Sequence, residues 1–385
     1  MNHWPCDPAA LLLARLPAQL SYAREQAPAY TALLSGLPLD AINNRAALAS
    51  LPLTRKSALI AAQAARPPFG GYAAGKAMRV FASPGPIYEP MDAASYRMDE
   101  ALTAAGFVAD DIVHNGFSYH LSPGGFIFDS ALQALGCTVF PGGPGNLEIT
   151  LAALANLGVN AYVGTPSFLQ LILDKADETG TPLLLAKALV SGEALSDSLR
   201  ARCHARGLAI CQCYASAELG LIAYETKAGQ GMRVAGGIIA EICDAGGNPL
   251  PEGETGELVI TSFSAVYPLI RFATGDLSAF VPGSQQQRIK GWLGRADDTA
   301  KVRGLFVHPE QVKAVLARHD DIHRARLILS HDDAGKDVMT LHIDAAASCD
   351  TAAIESSLKA LTRLSGRVLL SEALPDDGRL IEDLR

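Results

Sequence analysis

The chain has 385 residues, 49% of them hydrophobic, enough apolar material for a large core and for more than one domain. A formal net charge of -8, with no block of basic residues, argues against a nucleic-acid surface. Seven cysteines without regular spacing do not make a disulfide framework, so a reduced, cytoplasmic setting is expected. No apolar run reaches the roughly 18–20 residues of a membrane span, and the start, interrupted by Arg15, does not read as a signal peptide.

From about Pro8 to Gln63 the pattern reads as helices separated by short breaks at Pro38 and Asn43-Asn44. Leu51-Pro-Leu-Thr54 offers Thr54 as the cap of a helix that begins Arg55-Lys56. A β-like run, Arg79 to Ser83, then enters the loop Pro84-Gly-Pro-Ile-Tyr-Glu-Pro90. From Asp111 the pattern alternates strand and helix: Ile112 to Asn115, an apolar helix over Ile127–Leu135, and Gly136 to Pro141 as a buried strand. Repeated units of this length imply a parallel sheet covered on both faces.

The alternation continues. Val159 to Val163 reads as a strand, with Thr165-Pro166 opening a helix, and Ala188 to Ser191 as a buried strand ending at Gly192-Glu193. Leu208 to Leu219 follows, carrying Cys211-x-Cys213 without a second pair at ligand spacing, so no structural zinc is expected. Glu241 to Ser262 reads as β-hairpins. Next comes Tyr267-Pro-Leu-Ile-Arg-Phe-Ala-Thr-Gly-Asp-Leu277, in which Thr274-Gly275 form a turn that presents Asp276. A short carboxylate there can accept from two neighbouring hydroxyls, as on a ribose. After Gly294, an amphipathic helix (His308 to Leu316), two strands, a second helix (Thr351 to Leu364) and Arg367 to Leu370 make a small α+β unit.

Tyr267 to Leu277 resembles the ribose-binding motif of adenylate-forming enzymes, in the wording of phenylacetate–CoA ligases. Gly294-Arg-Ala-Asp-Asp-Thr-Ala-Lys-Val-Arg-Gly304 resembles their hinge motif. The resemblance runs over nearly the whole chain, including Leu51 to Lys56 at the helical start. It implies an α/β fold: a large N-terminal domain, residues 1–294, with parallel-rich sheets covered by helices and a helical start over 1–75, plus a small, mobile α+β C-terminal lid, 295–385, that swings between two half-reactions. It implies ATP (as AMP in the intermediate), Mg2+ and CoA as cofactors. As partners it implies a small, aromatic carboxylic acid, CoA or an acyl or peptidyl carrier protein, and the homodimer that the family leads one to expect.

The resemblance also assigns residues. Ser83 and Gly85 fall in the phosphate loop, Gly192 and Glu193 in a wall of the adenine pocket, Tyr214 on the base, and Glu218 on the metal. Asp276 and Arg295 meet the nucleotide, and Asp297 is the pivot. Phe117, Tyr119, His120, Gly164 and Thr165 border the acyl substrate, with His120 able to act as acid or base. Lys301, Arg303 and Gly304 flank the thiol side, and Arg379 stands where the family has a catalytic lysine.

Some positions depart from the family. In the phosphate loop the paired threonines are Pro86 and Ile87, the second glycine is Tyr88 and the lysine is Glu89, while prolines 84 and 86 remove amide donors. In the next signature Ala215 and Ala217 replace a glycine and a hydroxyl. Three functions follow: a working acyl- or aryl-CoA ligase, an ATP-independent acyltransferase between CoA and a carrier thiol, and a non-catalytic acyl-CoA or nucleotide binder.

Overall fold

The computed structural model describes residues 9–83, 87–91, 96–296, 300–303, 305–307, 309–319, 321–332, 335–346, 349–371, 374–375 and 379–385. The chain divides after Gly294 into two compact units. The first begins with helices α1 (Ala10–Gln26), α2 (Pro28–Leu33) and α3 (Arg45–Ala49), which bury Leu16, Leu20, Tyr30 and Leu48. Thr54 does not cap the next helix. Thr54–Arg55 form a short strand, β1, because their backbone finds a parallel partner in a distant strand. The Thr54 hydroxyl donates to the Ile270 carbonyl at 2.9 Å. Helix α4 (Lys56–Ala65) then begins without a side-chain cap.

β2 (Arg79–Ser83) and β3 (Ile87–Met91) form an antiparallel hairpin in which Phe81 faces Glu89. α5 (Met98–Ala104) follows. The expected alternation comes next: β4 (Ile112–Asn115), α6 (Gly124–Ala134), β5 (Thr138–Phe140), α7 (Leu147–Asn156), β6 (Ala161–Gly164), α8 (Pro166–Thr179), β7 (Lys187–Val190), α9 (Asp197–Ala205) and β8 (Ala209–Ser216). β5, β4, β6, β7 and β8 are parallel neighbours in that order, and β9 (Gly220–Glu225), β10 (Met232–Val234) and β14 (Arg288–Ile289) extend the sheet antiparallel to eight strands. β5 is the edge strand, and its residues are partly exposed rather than buried as the apolar run suggested, since only one side has a partner. Central strands β6 and β7 are buried, as parallel sheets flanked by helices require.

A second sheet has the order β1, β13 (Phe272–Ser278), β12 (Gly256–Ser262), β11 (Ile238–Cys243), the last three antiparallel. Almost every residue of β11, β12 and β13 is buried, which is why the hairpins read as apolar.

β15 is the two-residue strand Gly294–Arg295 at the junction. The second unit contains the hairpin β16 (Ala300–Val302) with β17 (Leu305–Val307), then α10 (Pro309–Leu316), β18 (Ile322–His331), β19 (Asp337–Ala345), α11 (Thr351–Thr362), β20 (Arg367–Leu370) and β21 (Ile381–Asp383). Its four-stranded sheet, β20-β19-β18-β21, packs on α10 and α11 around Leu327, Leu341, Ile343, Val312 and Leu358. Among the described residues no helix is long and apolar enough to cross a membrane.

Candidate functional site

Thr274-Gly275-Asp276 is not a free turn. It is a bulge inside β13: Val259 pairs with Ala273 and Glu257 with Leu277, so three residues of β13 face one of β12. Gly275 supplies the positive φ of 75° that the bulge needs, and its amide donates to Glu257 at 3.1 Å. The two extra residues turn Asp276 toward β8 and the segment after β14. There Asp276 Oδ2 accepts from the Tyr214 hydroxyl at 2.5 Å and Oδ1 from the Trp292 indole at 3.0 Å. Tyr214 is thus tied to the carboxylate that is expected to hold ribose.

Arg271, the residue immediately before β13, is a structural clamp. It is buried at 2% exposure with φ of +44°. Its guanidinium pairs with Glu241 at 3.1 Å and donates to the carbonyls of Ala49, Leu51 and Gly247 at 2.6–2.7 Å. Burial raises the Glu241 carboxyl, and the Arg271 charge works against that rise. One side chain therefore joins the helical start, β11 and the ribose strand.

The opposite side is organised by α4. Gln63 grips β3 by accepting from the Tyr88 amide at 2.8 Å and donating to the Tyr88 carbonyl at 2.9 Å. That holds Glu89 fully buried, with neither carboxylate oxygen in a hydrogen bond of good geometry. Burial, and then the Glu218 charge, push the Glu89 carboxyl up to about 8, against smaller contributions from Ser83 and Lys56. From the other end of α4, Lys56 Nζ reaches Glu218 Oε1 at 2.7 Å, with side-chain exposures of 17% and 3%. Burial raises the Glu218 carboxyl, but Lys56 outweighs it, with help from Ser216, and leaves the group below its usual pKa. Glu218 also borders a small cavity with Pro90, Tyr96, Arg97, Ser262, Ser264 and Tyr267.

A third cluster lies at the C-terminal ends of the parallel strands, where ligands of open α/β sheets bind. Asn115, the last residue of β4, donates to the Tyr119 hydroxyl and the Gly125 carbonyl, each at 2.8 Å. Tyr119 donates to Asp129 at 3.1 Å, and both burial and Asp129 raise its pKa. Phe117 stacks on Phe128 with centroids 4.6 Å apart, and Tyr119 meets Phe126 edge-on at 5.2 Å. His120 is exposed at the loop's rim and is not drawn into this cluster. Gly164 lies so close to Tyr162 that a Cβ would sit 2.1 Å from its hydroxyl. Thr165 caps α8 by accepting from the Phe168 amide at 3.2 Å, and Glu193 accepts from the Ser167 amide at the same helix end. A Cβ on Gly192 would lie 3.6 Å from Thr165 and 3.9 Å from Phe117, so Gly192, Thr165 and Phe117 form one wall.

In the second unit the Arg303 amide donates to the Asp337 carboxylate at 3.0 Å and its guanidinium to the Asp337 carbonyl at 2.8 Å, so it ties the β16–β17 hairpin to the start of β19. Arg379 is exposed ahead of β21, and Arg295 opens the unit. Gly85, Asp297, Gly304 and the side chain of Lys301 lie outside the described residues.

A family model described as AMP-binding enzyme matches residues 100–266, which span the parallel strands, Tyr214 and Glu218. The phenylacetate–coenzyme A ligase of Aromatoleum evansii is 29% identical over 328 residues, covering 79% of this chain and 74% of the relative. The enzyme of the same name from Thermus thermophilus matches at 29% over 331 residues, with the same shares covered. Over most of its length the chain is thus similar to phenylacetate–CoA ligases, and it carries the AMP-binding enzyme match in its parallel-sheet region. In fold, it superposes on a 2-hydroxyisobutyryl-CoA ligase solved with 2-HIB-AMP and CoA, with a TM-score of 0.88 at 22% identity over 99% of this chain and 90% of that one. It also resembles the amide bond synthetase McbA of Marinactinospora thermotolerans, with a TM-score of 0.62 at 18% identity over 75% and 63%.

The residues around Glu218 do not fit the metal that the resemblance to adenylate-forming enzymes implies there. Magnesium needs only one or two carboxylates plus phosphate oxygens. Here, however, the one carboxylate is already paired with a half-buried ammonium, and burial favours the neutral form of the neighbouring carboxyl, Glu89. Among the described residues no group of three or more His, Cys, Asp or Glu could hold an ion. Lys56 is the residue that reading the sequence passed over. One signal for it was present, because a lysine opening a helix opposes the positive end of the helix dipole and needs a reason.

Proposed function

We propose that this chain activates a small carboxylic acid as its acyl-adenylate and passes the acyl group to a thiol, CoA or a carrier protein. The observation that carries this reading is the Asp276 bulge, with Tyr214 and Trp292 fixed on its two oxygens, in a family of AMP-binding enzymes. In the first half-reaction a carboxylate oxygen of the acid bonds to the α-phosphorus of ATP and pyrophosphate leaves. In the second, the thiol sulfur bonds to the acyl carbon, AMP leaves with the bond's electron pair, and the thiol proton passes to solvent. Asp276 would accept from the ribose hydroxyls. The Gly192–Glu193 turn would border the adenine.

The aromatic cluster of Phe117, Tyr119, Phe126 and Phe128 beside Gly192 and Thr165 supports a flat, aromatic acyl group. The second unit would act as the lid, pivoting at Asp297, with Arg379 and Arg295 toward the phosphate in the first step and Lys301, Arg303 and Gly304 toward the thiol in the second. Carboxylate-dependent exchange of labelled pyrophosphate into ATP, over aromatic and short aliphatic acids, tests the reading. Exchange with an aromatic acid that disappears in Asp276→Ala is expected.

Buried Glu89 at the phosphate loop favours a second reading, acyl transfer between CoA and a carrier thiol without ATP. Folded protein that exchanges no pyrophosphate with any acid, yet moves an acyl group from CoA to a carrier, would establish it. Nucleotide or acyl-CoA binding without either turnover would leave a non-catalytic binder.

A further inference from the structure

The Lys56–Glu218 pair joins two elements 162 positions apart, and neither member is exposed enough for the pair to be a surface ornament. Everything around Lys56 fixes it there. β1 is locked to β13 by the Thr54 amide donating to the Arg271 carbonyl at 2.9 Å and by the Thr54 hydroxyl on Ile270. Tyr30 accepts from the Ile270 amide at 2.9 Å and lies beside the Thr54 hydroxyl. The first turn of α4 therefore starts at a defined point against the ribose strand, and Lys56 is the first residue of that turn. Its ammonium contacts Glu218, the carboxylate that a divalent ion would need, at the distance of a direct charge-assisted hydrogen bond. An ion bound at Glu218 Oε1 would have to displace Lys56 into surroundings that include the buried Glu89.

We propose that Lys56 is the resident cation of this site: its ammonium takes the place on Glu218 of a divalent ion, so that nucleotide binding to this chain draws on no metal at Glu218. Nucleotide phosphate then meets a fixed monovalent charge carried by the Lys56 side chain. This rests on the reading of Glu218 as facing nucleotide, and it goes beyond that reading by replacing the metal.

Electron paramagnetic resonance of Mn2+, titrated into the full-length protein alone and with AMP, reads the point directly and needs no turnover. Wild type and Glu218→Gln are expected to leave the free-ion signal equally intact. Lys56→Met, close to lysine in length but uncharged, is expected to bind Mn2+ at least tenfold more tightly, and Lys56→Met/Glu218→Gln to lose that binding. Calorimetry with ATP is expected to give wild-type affinities within about twofold in EDTA and in excess Mg2+. The proposal is overturned if wild type binds Mn2+ in a way that Glu218→Gln abolishes. It is also overturned if Mg2+ tightens ATP tenfold in wild type but not in Glu218→Gln, or if a folded Lys56→Met gains no site. Should Lys56→Met fail to fold, the comparison of wild type with Glu218→Gln still decides. Failure of nucleotide to bind at all would count against the ligase reading, while the Mn2+ comparison would still judge Lys56.

Discussion

The two halves of the candidate nucleotide site are built from opposite materials. On the proposed nucleoside half, Asp276 holds Tyr214 and Trp292, and Arg271 holds Glu241 and three carbonyls. On the phosphate half a glutamate replaces the family's lysine, is buried with neither oxygen well bonded, and sits beside a second glutamate whose charge a lysine cancels. The first arrangement preorganises a site for hydroxyls. The second differs from the family's phosphate loop in its sequence, and its Lys56 ammonium is engaged with Glu218. Sequence motifs are therefore retained where they carry the scaffold as well as the ligand, and lost where they carry the ligand alone.

The largest effect expected from breaking this contrast lies at Arg271. Arg271→Met would leave Glu241 as a buried charge without its partner and three carbonyls without their donor. A loss of roughly 3–5 kcal/mol is expected for such a pair, read as a shift of the urea midpoint with unchanged slope. A variant within about 1 kcal/mol of wild type would mean that the clamp is dispensable and that the motif's arginine serves something else.

A smaller effect is expected on the phosphate half. Glu89 faces Glu218, Lys56 and Ser83, with Tyr267 nearby, and its pKa rises from 4.5 to about 8 on folding. Below pH 4.5 the carboxyl is neutral in both states and has no effect. As the pH rises from there toward 8, the unfolded chain ionises first and the folded state loses about 1.4 kcal/mol per unit at most. Above 8 the loss is complete. Glu89→Gln, neutral throughout, should match wild type in acid and exceed it increasingly as the pH rises toward 8, measured by urea unfolding across the pH range. Parallel curves would show instead that Glu89 is ionised and paired.

The legibility of the chain follows the same division. Local pattern was sufficient for the strand–helix alternation from Ile112 to Ser216, for Thr165 as the cap of α8, and for the α+β character of the last unit, because each depends on neighbours a few residues apart. It failed at Thr54, which looked like a helix cap and is a strand, since its partner Phe272 is 218 positions away. It failed at Thr138–Phe140, whose apolar side chains said buried strand while the topology put it at an edge. In the ribose motif Asp276 was legible as an acceptor, but the bulge that aims it was not, because a bulge is a property of two paired strands. Arg271 read as the end of an apolar run and Lys56 as a helix start. Their partners, Glu241 and Glu218, are distant in sequence, so no local rule could assign them.

The smallest and most specific effect belongs to Asp276. Asn in its place keeps the shape and one acceptor oxygen but turns the other acceptor into an amide donor. Either the Tyr214 hydroxyl or the Trp292 indole must then lose its acceptor, and a ribose hydroxyl meets one oxygen instead of two. The remaining oxygen still accepts from one of the two donors, so the loss of stability is expected to stay near that of a single hydrogen bond, about 1 kcal/mol. AMP affinity is expected to fall about tenfold, or ~1.4 kcal/mol, by calorimetry. Tyr214→Phe, which removes one donor while keeping the ring, should cost less than that. If Tyr214→Phe instead costs as much as Asp276→Asn, the two act as one unit on the nucleotide. If neither changes AMP binding, the intact half of the site is a relic of folding rather than a place for a nucleoside.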